Sequence, residues 1–435
     1  MELSVKVIGG GLAGSEAAWA IARHGLKVIL YEMRPDRMTP AHSSGLLGEL
    51  VCSNSLKSKD ILSAQGLLKE ELKRSGSLIM EAAERSAIPG GKALVVDRQA
   101  FAKHITARLE NHPMIEIRRE EKSEIPDPIA VIATGPLTSD SLAEAIKKLT
   151  GEEFLYFYDA LSPIVSVESL DTSRMFWADR HGWEEGAYLN APMSEEEYKS
   201  FYEALIAAET HIPHFDERIP YFEGCLPVEV MAKRGYETLA YGPLRPSGLV
   251  DPATGKEPFA AVQLRPENAD VTAFSLVGFQ TQLKIGEQDR VFRMIPGLRN
   301  AEFLRYGAVH RNTYLNAPRL LQPTLDLRAK PGVFVAGQLS GTEGYLEAAA
   351  GGLVAGTNAA RLALGREPVP FPEHTAIGTL FRAITSAPER NYQPTNLHLA
   401  LFTDVPKNLR GKARREFIAK RALRELESFI HEQSV

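Results

Sequence analysis

The apolar run Val5-Lys6-Val7-Ile8 leads directly into Gly9-Gly10-Gly11-Leu12-Ala13-Gly14. This reads as strand, tight turn and helix in the G-x-G-x-x-G spacing. Gly9 permits the turn, Gly11 lets the backbone approach a pyrophosphate, and Gly14 lets the helix lie near the strand. The first turn of the helix offers unpaired N–H groups and the positive end of its dipole to a phosphate. A second strand, Val28-Ile29-Leu30-Tyr31, ends in Glu32. Glu32 stands where a carboxylate accepts hydrogen bonds from an adenosine ribose. A dinucleotide-binding α/β fold is therefore expected, with Gly9, Gly10, Gly11, Leu12, Ala13, Gly14 and Glu32 as cofactor-binding residues.

Two later blocks resemble the first. Ile129-Ala130-Val131-Ile132-Ala133-Thr134-Gly135 is a buried strand ending in Thr-Gly, with Gly135 beside the dinucleotide. Gly332-Val333-Phe334-Val335-Ala336-Gly337-Gln338 is followed by Gly341, Glu343-Gly344-Tyr345 and a helix carrying Gly351, Gly352 and Gly356. That helix either brings backbone N–H groups to a ligand or packs closely on a sheet. The first and third blocks lie far apart, so the cofactor domain is expected to be discontinuous, formed by 1–165 and 300–435. An inserted domain would span 166–299 and face substrate. Within it, Ser194 and Glu197 make a capping box for a helix running to about Thr210, and Tyr241 to Pro258 reads as loops. Such long spacing suits FAD better than NAD in one compact unit.

The 435 residues allow two or three cores, and a 44% hydrophobic and 24% charged composition is that of a soluble globular protein. No apolar run reaches the roughly eighteen residues of a membrane span. The chain enters its first strand without a secretory signal. Cys52 and Cys225 are the only two cysteines, too few for a disulfide framework or a metal cluster. A cytoplasmic, reducing setting is expected. The net charge of −5 argues against a general nucleic-acid coat, but Lys407, Arg410, Lys412, Arg414, Arg415, Lys420, Arg421 and Arg424 form a local basic stretch. An apolar stripe of Phe417, Ile418, Leu423, Leu426, Phe429 and Ile430 opposes it. The stretch is either a solvated helix closing the fold or a phosphate-binding surface.

Two further segments are more specific: Tyr221-Phe222-Glu223-Gly224-Cys225-Leu226-Pro227-Val228-Glu229 and Arg305-Tyr306-Gly307-Ala308-Val309-His310-Arg311-Asn312. With Gly337-Gln338 through Glu347, they closely resemble the folate- and FAD-dependent tRNA uracil-5-methyltransferase family, over nearly the whole chain. The resemblance implies a Rossmann-like, GidA-like FAD-binding domain with an inserted α+β domain. It also implies formation of ribothymidine in the T loop of tRNA, with carbon from methylenetetrahydrofolate and electrons from NADPH or NADH through FAD. A related flavoprotein family modifies wobble uridines with a GTPase partner and carries a helical C-terminal extension. This chain ends too soon after Gly337-Gln338 for that extension, so no GTPase partner is expected. A flavin- or RNA-binding module without turnover is the third reading.

Uracil C5 is a poor nucleophile until a thiolate adds at C6 and places electron density on it. The reaction then needs a proton acceptor at C5 and a hydride donor. The resemblance assigns the nucleophile to Cys225, in the Gly-Cys-Leu-Pro turn. Cys52, in Leu50-Val51-Cys52-Ser53-Asn54-Ser55, would handle the proton or protect the reactive thiol. Gly337, Gln338, Gly344 and Tyr345 would meet the cofactor, with Tyr345 either over the flavin ring or in the core. Arg34 and Arg37 would meet phosphate or solvent, and no role is assigned to His310 or Arg311. The target base must leave its stack, at a cost of a few kcal/mol.

Overall fold

The computed structural model describes residues 4–180, 187–211, 226–390 and 392–434. Among these, a six-stranded sheet has the order Asp326–Leu327, Lys330–Val335, Ala130–Ile132, Ser4–Ile8, Lys27–Tyr31, Ile115–Arg118. All neighbours are parallel except the Asp326–Leu327 edge. Parallel strands are covered on both faces and read as apolar runs. Accordingly Val5, Val7, Leu30, Ala130, Val131, Ile132, Val333, Phe334 and Val335 are all fully buried. The register Val7↔Leu30, Val7↔Val131 and Val335↔Ile132 aligns the carboxyl ends of four strands. Gly9, Glu32, Ala133 and Ala336 leave the sheet at that one edge, where open α/β sheets bind ligands.

The helices after the first and third motifs, Leu12–Arg23 and Tyr345–Ala363, cross at very short range. A Cβ on Gly352 would lie 2.2 Å from the carbonyl oxygen of Ala13, and one on Gly356 would lie 2.7 Å from that of Ala17. The two glycines therefore serve packing, but against a helix rather than the sheet that the sequence reading named. Their close approach locks the third motif onto the first.

A second six-stranded sheet is antiparallel, in the order Phe176–Trp177, Leu189–Met193, Ala260–Pro266, Ala273–Leu276, Ile164–Ser166, Phe303–Arg305. Helix Glu195–Ala207 packs Tyr198, Phe201 and Leu205 into its core. The capping box is present: the Ser194 N–H donates to Glu197 Oε2 at 2.8 Å, and the Glu197 N–H donates to Ser194 Oγ at 3.2 Å. Strands Leu155–Ala160 and Val309–Tyr314 pair antiparallel, with Asp159 opposite His310.

The C-terminal helix runs Gly411–Ser434, so Lys407 and Arg410 precede it, in a turn closed from Leu409 N–H to Pro406 O. Ile418, Ala422 and Leu426 are buried, and Phe429 lies 4.8 Å from Phe371 between ring centroids. Arg421 is structural: it donates to the carbonyls of Thr403 and Asp404 at 2.8 Å each. Lys412, Arg415, Lys420 and Arg424 are exposed. The stretch thus has an anchored face and an exposed basic one, on which Lys412 pairs with Glu416 and Arg415 donates to Gly411 O.

Gly352→Val should force the two crossing helices apart. The expected loss is about 2 kcal/mol or more, typical of overpacking against backbone. A lowered thermal midpoint together with lost dinucleotide binding is the checking measurement.

Candidate functional site

Ten of the twelve cofactor-binding residues expected from the sequence line one cleft of about 490 Å³. This is within the usual range of about 300–1,000 Å³ for ligand sites. Gly9, Gly11, Leu12, Ala13, Glu32, Gly135, Gly337, Gln338, Gly344 and Tyr345 form its walls, with Cys52 among them. Gly10 and Gly14 instead shape the cradle. The Gly10 N–H donates to Glu32 Oε2 at 2.9 Å. A Cβ on Gly14 would lie 1.7 Å from Gly9 O, so only glycine lets the helix start this close to the turn. Gly9 has φ +98°, which its neighbours fix. A Cβ on Gly11, by contrast, would meet no atom within 4 Å. That open space lies against the first turn of helix Leu12–Arg23, whose opening N–H groups have no partner within the helix. The donors and the space fit a pyrophosphate.

Glu32 is engaged on both oxygens. Oε1 accepts from the Arg34 N–H at 2.9 Å and Arg34 Nε at 3.0 Å, and Oε2 accepts from Gly10 N–H and from Arg34 Nη2 at 3.0 Å. Burial works to raise its pKa, but the bonds and charge of Arg34 outweigh it and hold the carboxyl below the usual range. Glu32 therefore stays ionised at neutral pH. Arg34 is itself buried and bridges Glu32 to Glu49, with Nη1 at 3.2 Å from Glu49 Oε2. Arg34 is thus neither a surface arginine nor primarily a phosphate ligand. It fixes the acid.

The Cys52 loop follows no regular element. The Tyr345 hydroxyl accepts the N–H of Cys52 at 2.7 Å and of Ser53 at 3.1 Å. Tyr345 lines the cleft, and its hydroxyl ties the third motif to the cysteine loop. Burial, reinforced by the Asp159 carboxylate, pushes the Cys52 thiol up to about 12, against the opposing pull of Arg98 and Arg305. The thiol therefore carries its proton at neutral pH. Burial and the Asp159 charge likewise push Glu343 up to about 8, with Lys57 opposing. Gln338 Nε2 donates to Glu343 Oε2 at 2.6 Å. Burial and Arg305 depress His310, which keeps it neutral in the same wall.

Asp159, Arg98 and Lys57 belong to segments with no local signature, so no motif singles them out, whereas Glu343 lies in the third Gly-rich block. Arg305 and His310 lie inside one of the family-like segments, which is the available signal. Cys225 lies outside the described residues. Val228, three residues on in sequence, donates its N–H to Gln280 O at 2.7 Å, and Gln280 lines the cleft.

The chain matches the family model described as glucose inhibited division protein A over residues 4–367. It is 56% identical to the methylenetetrahydrofolate–tRNA-(uracil-5-)-methyltransferase TrmFO of Heliobacterium modesticaldum, covering 100% of this chain and 99% of that one. It is 55% identical to the protein of the same name from Desulforudis audaxviator, with the same coverage. Among solved structures, Aquifex aeolicus GidA superposes with a TM-score of 0.73 at 21% identity, over 100% of this chain and 76% of that one. That likeness concerns the fold. No helix among the described residues is long and apolar enough to cross a membrane.

Two outcomes follow from this geometry. Gly11→Val should fold normally, since its Cβ meets open space, yet should lose the dinucleotide; flavin absorbance of the purified variant against its melting curve tests this. In a Cys225→Ser background, Cys52 should resist iodoacetamide from pH 7 to about 9, because the reactive thiolate forms only well above that range. Rapid alkylation at pH 7 would contradict the protonated thiol.

Proposed function

Because the chain belongs to the methylenetetrahydrofolate–tRNA-(uracil-5-)-methyltransferase family, we propose that it methylates C5 of the T-loop uridine of tRNA, in the cytoplasm. Methylenetetrahydrofolate supplies the carbon, and NADPH or NADH supplies electrons through FAD, without a GTPase partner. One cleft whose walls join the Gly9–Gly14 cradle to Cys52 carries this reading. The wobble-uridine alternative has no observation in its favour.

Reduced FAD, when bound, supplies the hydride that completes the methyl group. The remaining steps fall to the chain. The cradle and Glu32 hold the pyrophosphate and ribose. The Cys225 thiolate adds to uracil C6, so that C5 attacks the one-carbon donor. The C5 proton and the one-carbon carrier then leave, giving an exocyclic methylene, and once hydride has turned it into methyl the thiolate is expelled from C6. Of the roles expected for Cys52, its half-buried, proton-bearing thiol supports proton handling as a donor, to the departing one-carbon carrier, rather than as acceptor of the C5 proton. The bond between Tyr345 and the Cys52 loop keeps that thiol at the cleft wall. The exposed basic face of Lys412, Arg415, Lys420 and Arg424 supports a phosphate-binding role.

The direct test is nucleoside analysis for ribothymidine after incubating the yellow protein with unmodified tRNA, methylenetetrahydrofolate and NADPH alone. Product formed from S-adenosylmethionine without folate or reductant would sink the reading. Cys225→Ala should keep flavin and lose methyl transfer, and only enzyme with Cys225 should give a denaturation-resistant adduct with tRNA bearing 5-fluorouridine. Neutralising Lys412, Arg415, Lys420 and Arg424 together should weaken tRNA binding and flatten its salt slope, by roughly 0.7–0.9 for each phosphate that is no longer neutralised. Arg421 is left in place because it anchors the helix.

A further inference from the structure

The loop that carries Cys52 is held from outside by two arginines. Arg98, the first residue of helix Arg98–Glu110, donates from Nη1 to Leu50 O and from Nη2 to Cys52 O at 3.1 Å. Arg305, the last residue of strand Phe303–Arg305, donates from Nη1 to Val51 O at 3.1 Å and from Nη2 to Cys52 O at 3.2 Å. Three consecutive carbonyls therefore face two guanidinium groups, and both groups share the carbonyl of the cysteine. A third bond runs from Arg305 Nη2 to Ser162 O at 3.4 Å.

Satisfying three loop carbonyls does not require this. Water or a single donor would do so. Here two like charges are brought together, and the presence of Arg98 adds to the burial that depresses Arg305. Glu267 compensates from one side, with Oε2 at 2.8 Å from Arg98 Nε and a side chain only 8% exposed. Glu267 directly follows strand Ala260–Pro266 of the second sheet, and Arg305 ends another strand of that sheet. Arg98 starts a helix packed beside the first sheet's strand Ile115–Arg118. The neighbouring Asn54 repeats the pattern: it accepts from Arg265 Nε at 2.7 Å and donates to Pro266 O at 2.9 Å.

We propose that Arg98 and Arg305 are positioning residues for Cys52, which register its thiol in the cleft only while the second sheet is seated on the first. The planar forks fix the loop's carbonyls in direction as well as in distance, which a point charge cannot do. Any shift of the second sheet then pulls on the Cys52 loop through Arg305, against the hold of Arg98 and Tyr345. A misplacement of about 1 Å at a reacting group can lower a rate by about a hundredfold. The role in turnover rests on the methyltransferase reading; the effect on the thiol does not.

The test uses full-length holoenzyme carrying Arg305→Gln, Arg305→Lys or Glu267→Gln. Each should keep its flavin and its KM for tRNA and folate within about twofold, while kcat falls about tenfold or more for both Arg305 variants. Glu267→Gln should move the same way by less. In the Cys225→Ser background, where Cys52 is the sole thiol, its alkylation should accelerate about fivefold or more in Arg305→Lys, which loosens the loop but keeps the positive charge that favours the thiolate. Arg305→Lys should not rescue either readout. Wild-type kcat or wild-type alkylation in Arg305→Lys overturns the proposal. Should Arg305→Gln fail to fold, Glu267→Gln decides by the same measurements. A wild type that makes no ribothymidine would refute the proposed activity, while the alkylation rates still decide the clamp.

Discussion

The close approach of Gly352 to Ala13, and that of Gly356 to Ala17, are what the cleft depends on. They bring together two helices whose sequences are more than three hundred residues apart. With side chains at these positions the helices would stand further apart, as ordinary helix pairs do at about 8–10 Å between axes. Gly337 could then no longer sit against Ala13, where an added Cβ would already be 2.8 Å from the Ala13 side chain. The phosphate cradle and the third Gly-rich loop would become separate features. The close crossing makes them two walls of one site.

Electrostatics at that site are set by burial more than by ion pairing. Glu32 stays ionised because Arg34 outweighs its desolvation. Cys52 and Glu343 go the other way: their arginine and lysine neighbours do not offset burial and the Asp159 charge. The cleft therefore holds a fixed anion at the cradle and protonated groups beside the cysteine loop. That division suits a site that binds a cofactor by charge at one place and moves protons at another.

The net charge of −5 hides a local division of charge, because the C-terminal helix separates two kinds of basic residue. Arg421 and Arg414 spend their donors on loop carbonyls and hold the helix down. Lys412, Arg415, Lys420 and Arg424 remain exposed. Composition cannot make that distinction, since it counts all six alike.

Local chemistry was readable from the chain itself. The Gly9–Gly14 turn, the strand endings at Glu32, Gly135 and Gly337, and the Ser194–Glu197 cap each depend on residues a few positions apart, so short-range sterics and hydrogen bonding determine them. The resemblance in Arg305 to Asn312 extended this to a family. What the tertiary structure decided is which distant groups meet. Gly352 and Gly356 proved to be packing residues because their partners are the carbonyls of Ala13 and Ala17. Tyr345 proved to be an acceptor for the Cys52 loop. Arg34 proved to be the buried partner of Glu32, and Arg98, Arg305, Asp159 and Glu343 proved to be neighbours of Cys52. No spacing rule contains these facts. A pKa, a clamp or a close helix crossing belongs to the atoms that folding brings together, and those come from segments with no sequence proximity.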